Sequence, residues 1–144
     1  MTDYNLLFKQ LQILIEDEED IIVKMANMSS FLYFNLSDIN WLGFYLVKDN
    51  LLKVGPFQGK PACSNIAKGQ GVCGTAWEKM TTIVVDDVHS IQNHIACDSA
   101  SNSEVVIPII KKGNMIAELD VDSPKFSRFD LELVQFLEKC TTLI

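Results

Sequence analysis

The sequence holds no cluster of basic residues, no apolar run long enough to cross a bilayer, and no basic leader ahead of an apolar stretch. With a formal net charge of −7, the first absence argues against nucleic acid and against an anionic membrane surface as partners. The second excludes a transmembrane helix. The third means that the opening residues, "MTDYNLLFKQ", do not read as a signal peptide. Internal repeats and low-complexity segments are also missing. The chain therefore reads as cytoplasmic. In a reducing compartment its four cysteines are better suited to catalysis, redox chemistry or metal binding than to permanent disulfides.

What is present is ordinary globular material. A chain of 144 residues, 48% of them hydrophobic, fits one domain over residues 1–144 with an adequate core. Leu7, Leu11, Leu14 and Ile15 make a helical stripe, and Ile22, Met25, Ala26, Ser29 and Leu32 make a second. Between them lies the acidic run Glu16 to Asp20, which reads as a solvated helix junction. Aromatic and branched residues then dominate. Asp49-Asn50 separates two apolar runs and predicts a hairpin of Ile39 to Val47 with Leu51 to Val54. Glycines punctuate residues 55–74, which read as a long loop with short helical pieces, followed by a short helix from Thr75 to Lys79.

A strand in "TTIVVDDV", a second loop-like region over 89–103, and a hairpin turning at Gly113-Asn114 come next. Pro108 lacks an amide donor and demands a sheet edge or a bulge. Ser127 with Asp130 three residues on resembles a capping box, and Leu133, Val134, Leu137, Cys140 and Ile144 mark the face of a last helix. This order is that of an α+β domain with helices on one side of a mostly antiparallel sheet.

Chemistry concentrates in the loop-like segments. Cys97 sits in "HIACD" between a histidine and an aspartate, among small polar residues. Cys63 and Cys73 lie in the glycine-rich stretch, whereas Cys140 reads as a small buried hydrophobe on the last helix. A zinc site from Cys63, Cys73, Cys97 and His94 is disfavoured, because structural zinc knuckles place their cysteines closer together than Cys63 and Cys73 stand. Inert core thiols and redox-active thiols both remain open, with the loop setting favouring redox. Asp120 and Asp122 share one strand face, which reads either as a solvated polar face or, together with Glu104, as the wall of a pocket. Crowded carboxyls repel, so one of them would hold its proton and serve as a general acid. An acidic pocket also suits a cationic ammonium group.

The segments "NWLGFYL", "GPFQGKPAC", "GVCGTAW", "HIACD" with "SEVVIPI", and "LDVDSP" resemble, in that order, the free methionine-(R)-sulfoxide reductase family, an enzymatic branch of GAF domains. The resemblance covers almost the whole chain. It implies a GAF fold, a central antiparallel sheet with the N- and C-terminal helices on one face and a loop-covered ligand pocket on the other. It implies reduction of free methionine-(R)-sulfoxide, with thioredoxin as reductant, no metal and no organic cofactor, and a homodimer. By the same resemblance Cys97 is the attacking thiol, Cys63 the principal resolving thiol and Cys73 a third cysteine able to join disulfide exchange. Glu104, Asp120 and Asp122 bind substrate, Glu104 or Asp122 supplies the proton, and Trp41 forms an aromatic wall. Relatives often carry glycine-valine where this chain has Ala117-Glu118, a departure that bears on local packing or the outer face of the sheet. The competing class is a GAF sensor that binds a small molecule without turning it over. Sensors are usually tethered to an output domain, and this chain ends soon after its last helix.

Overall fold

Three helices begin at an aspartate. Asp3, Asp20 and Asp130 each accept a hydrogen bond from a backbone amide of the first turn that follows, Leu6 at 3.1 Å, Ile22 at 2.9 Å and Leu133 at 2.9 Å. These caps start α1 (Tyr4–Ile15), α2 (Ile21–Asn35) and α4 (Leu131–Thr141) in a computed structural model that describes residues 1–91 and 100–144. The last helix thus starts later than the Ser127 pattern suggests. Ser127 lies in a turn with φ 52° and gives its amide to Asp86, while Asp130 is itself the cap. The acidic junction is as expected, with α1 ending at Ile15 and Asp20 capping α2.

The strands are β1 (Trp41–Lys48), β2 (Leu51–Gly59), β3 (Asn65–Ile66), β4 (Ile83–Val85), β5 (Ser103–Lys111) and β6 (Asn114–Ser123). They form one sheet in the order β3-β2-β1-β6-β5-β4, and every pairing is antiparallel. Asp49 and Asn50 both take positive φ, 54° and 60°, as the tight turn between β1 and β2 requires. In the second hairpin the turn falls on Lys112 and Gly113, one residue earlier than the sequence suggests, and Asn114 already pairs with Lys111.

Strand β2 runs well past Val54, through Gly55-Pro56 to Gly59. The β1–β2 register shifts between Gly43 and Tyr45, so the extra residues of β2 bulge there and the proline costs no ladder bond. Gly43 makes this possible, since a Cβ at that position would stand 2.2 Å from Cβ of Phe57. Pro108 finds its edge because β4 pairs only with Glu104 to Val106 and leaves that side of β5 open beyond them.

One face of the sheet carries Leu42, Phe44, Val105, Ile107, Leu119 and Val121 into a core with α1, α2 and α4. Each fully buried side chain of this size contributes about 1.5–3 kcal/mol. Leu11, Ile15, Met25, Met28 and Leu32 supply the helical side of that core. Leu14, Ile22 and Ala26, expected on the inward stripes, are exposed. The other face packs against α3 (Gly71–Lys79) through Val72, Cys73, Ala76 and Trp77. This helix begins four residues before the expected Thr75, so a helix as well as loops covers the pocket side. No helix among the described residues is long and apolar enough to cross a membrane.

Candidate active site

Period-two alternation along β6 sends Leu119 and Val121 into the helical core and leaves Asp120 and Asp122 on the α3 side. Register does the rest. Asp122 pairs with Trp41 of β1 and with Glu104 of β5, so three strands bring two acids and an indole to one spot. A cavity of about 530 Å³, counting its open mouth, is lined there by Trp41, Tyr45, Cys73, Glu104, Asp120 and Asp122 together with the first turn of α3.

The aromatic side of this cavity is rigid. Trp41 is 3% exposed, stacks on Phe57 at 5.1 Å and lies near Tyr45 at 5.9 Å, and its Nε1 donates to the carbonyl of Lys60 at 3.1 Å. The Tyr45 hydroxyl donates to the carbonyl of Cys63 at 3.0 Å, which ties the Cys63 segment to β1. Sequence reasoning passed over Tyr45, although its spacing of four from Trp41 puts both on one strand face.

The acidic side is dry. Burial, then the charges of Asp120 and Asp122, hold Glu104 well above the usual carboxyl range. Burial also raises Asp120, against the pull of hydrogen bonds from Glu104 and Cys73. One ligand atom each from Cys73, Glu104 and Asp120 lies within 4.8 Å of the others, which makes these three the group among the described residues that could hold a metal ion.

Cys73 belongs to α3 and is buried, not presented on a loop. Gly74 allows α3 to press onto the preceding segment, where a Cβ would meet the Ala67 carbonyl at 2.4 Å. Burial, followed by Asp120, Glu118, Glu104 and Asp122, pushes the Cys73 thiol well above its ordinary value, so it stays protonated. Cys140 is a free thiol with no exposed surface in the helical core, raised to about 12 by burial. Cys63 is half-buried and disulfide-bonded. Cys97 and His94 lie outside the described residues.

Glu118 is the residue whose place the sequence hid. It lies on the pocket side of β6, not on an outer face, and is 0% exposed. Neither carboxyl oxygen has a hydrogen-bond partner of ordinary geometry. Its polar neighbours are Asp120 and the Cys73 thiol, and burial followed by the Asp120 charge raises it well above the carboxyl range despite a weak contact from that thiol. Its spacing of two from Asp120 was the available signal.

Residues 20–141 match the GAF domain family. The free methionine-R-sulfoxide reductase of Escherichia coli (strain K12) is 47% identical over 133 residues, which span 92% of this chain and 80% of that protein. The chain belongs to the GAF family, in its free methionine-R-sulfoxide reductase branch. The fRMsr of Staphylococcus aureus in its reduced form superposes with a TM-score of 0.97 at 50% identity, covering 100% of this chain and 94% of that one. The free methionine-R-sulfoxide reductase of Neisseria meningitidis, solved in complex with its substrate, superposes at 0.95 with 37% identity, covering 99% and 89%. The sheet and helices described above are thus those of this branch, and the α+β expectation holds.

Proposed function

We propose that this GAF domain reduces free methionine-(R)-sulfoxide to methionine, and that the cavity under α3 is where it does so. The observation that carries the reading is the meeting of Glu104, Asp120 and Asp122 with Trp41 in one cavity of a chain with reductase relatives. A free amino acid brings an ammonium group, and the acids suit it. It also brings a carboxylate, and the first turn of α3, which no side chain caps, offers backbone amides on the opposite wall. Trp41 offers an apolar face to the terminal methyl group.

In the reaction Cys97 attacks the sulfoxide sulfur as a thiolate. The sulfoxide gains two electrons, its S–O bond breaks and a proton is taken up. Methionine leaves and Cys97 becomes a sulfenic acid. Glu104 is the best placed proton donor, because it is buried between two aspartates and keeps its proton. The thiol of Cys63 then condenses with the sulfenic acid, releasing water and forming a disulfide that thioredoxin reduces by exchange. The bonded state of Cys63 beside two free thiols, Cys73 and Cys140, supports Cys63 over Cys73 as the resolving thiol. Cys73, buried and protonated, is a reserve for that step at most.

The reductase acts in the cytoplasm as a homodimer, and the apolar side chains that α1 and α2 leave exposed, Ile13 and Phe34 foremost, support a second copy. A sensor that only binds its ligand is the weaker reading, because relatives that share most of this chain are named as reductases. The test compares free methionine-(R)-sulfoxide with its N-acetyl derivative under thioredoxin recycling. Turnover of the free amino acid with little of the acetylated one is expected. Equal rates would remove the ammonium-binding role of the acids.

A further inference from the structure

We propose that Cys73, Glu104 and Asp120 form a binding site for a thiophilic divalent cation of the zinc class, and that the ion shuts the ammonium group of the substrate out of the pocket. The exclusion of substrate rests on the function proposed above, whereas the ion site stands on geometry alone.

The donor set is one sulfur and two carboxylates from three different elements, α3, β5 and β6, with the donor atoms within 4.8 Å of one another. A tetrahedral ion with bonds of about 2.0–2.3 Å sets its donors roughly 3.3–3.5 Å apart, so the three need to close by little more than 1 Å. All three line the cavity, which leaves the fourth position facing the open side, for water. A thiolate among carboxylates selects zinc, cobalt or cadmium over magnesium and calcium, which prefer all-oxygen shells.

Acids in a pocket do not by themselves make a metal site, but two further features do point to an ion. Oδ1 of Asp120 is buried with no hydrogen-bond partner. Behind it Glu118, with no exposed surface and no partner on either oxygen, lies next to both Asp120 and Cys73. Buried polar atoms left this way cost stability, and a cation held by the cluster offsets part of that cost. Glu118 stands behind both ligands, where a hydrogen bond between it and Cys73 would hold the ligating sulfur in place. Binding displaces the thiol proton to solvent and changes no oxidation state. The ion occupies the acids that would otherwise meet the ammonium group, so it acts as a reversible inhibitor of the same site.

The test uses the oxidised protein, in which Cys63 is held in its disulfide and Cys73 and Cys140 are the free thiols among the described residues. Titration with Co²⁺ should give a sulfur-to-cobalt charge-transfer band at one ion per chain. The band should vanish in Cys73→Ser, persist in Cys140→Ala, and need about tenfold more metal in Glu118→Met. No band, or a band that survives Cys73→Ser, overturns the site. If Cys73→Ser does not fold, Asp120→Asn must weaken the band, and unchanged affinity there overturns it equally. With the reductase turning over, Zn²⁺ should inhibit competitively against the sulfoxide and be reversed by chelator, while non-competitive inhibition overturns the exclusion of substrate. A protein that shows the cobalt band yet no turnover loses the proposed function and keeps the site.

Discussion

Trp41 of β1 stands directly opposite Asp122 of β6, and Glu104 of β5 stands opposite Asp122 on its other side. One aspartate is thereby bracketed by an indole and a second acid, with all three side chains on the cavity face of the sheet. Asp122 is half-buried and Glu104 buried, which divides their work. Under the proposed function the partly solvated acid meets the ammonium group and the dry one supplies the proton.

Glu104→Gln and Asp122→Asn should therefore fail in different ways. Loss of the acid lowers kcat by about 10²–10⁴-fold with KM little changed. Loss of an ammonium contact raises KM more than it lowers kcat. Steady-state kinetics of both variants decide it, and the same KM-only effect in both would leave the proton donor unassigned to Glu104.

The two cysteines given redox roles in the proposed reaction predict different time courses. Cys97→Ser should abolish turnover. Cys63→Ser should release one equivalent of methionine and then stall under thioredoxin. Thiol titration of the wild-type chain after one oxidation by substrate should show two thiols lost. Loss of a single thiol would argue against a disulfide within the chain.

Gly43 is a test of the fold alone. Its missing Cβ is what lets Phe57 cross the bulge, since the added atom would also lie 2.7 Å from the Phe57 Cα. Gly43→Ala should cost about 1–3 kcal/mol of unfolding free energy, the usual penalty for overpacking. A denaturant midpoint unchanged from wild type would show that the bulge relaxes freely.

Glu118→Met makes the opposite prediction. It replaces a fully buried carboxyl that has no hydrogen-bond partner with an apolar chain of similar size. Stability should rise by about 1–3 kcal/mol, seen as a higher Tm in a thermal melt. A loss of stability would mean that the carboxyl is satisfied in solution.

Much of this was legible because it depends on local rules. The positive-φ pair Asp49-Asn50 announces its hairpin, and the spacing of Asp120 and Asp122 places both on one face. What stayed hidden depends on distant segments. Gly71 and Gly74 read as loop, yet both lie in α3, and Gly74 serves close packing against the Ala67 carbonyl. Pro56 falls in the segment read as loop, yet a bulge opposite Phe44 carries it within β2. Ala117-Glu118 reads as a departure touching local packing or the outer face, yet Glu118 is fully buried beside Cys73 of α3, far earlier in the chain. The capping pattern at Ser127 misled because the true cap, Asp130, was already part of it.

The central question is whether this cavity reduces one hand of a free amino-acid sulfoxide. The most direct measurement is methionine formation from separated R and S epimers of free methionine sulfoxide, with thioredoxin as reductant. Consumption of the R epimer alone, lost in Cys97→Ser, is the predicted result. Equal consumption of both epimers, or of neither, would contradict it.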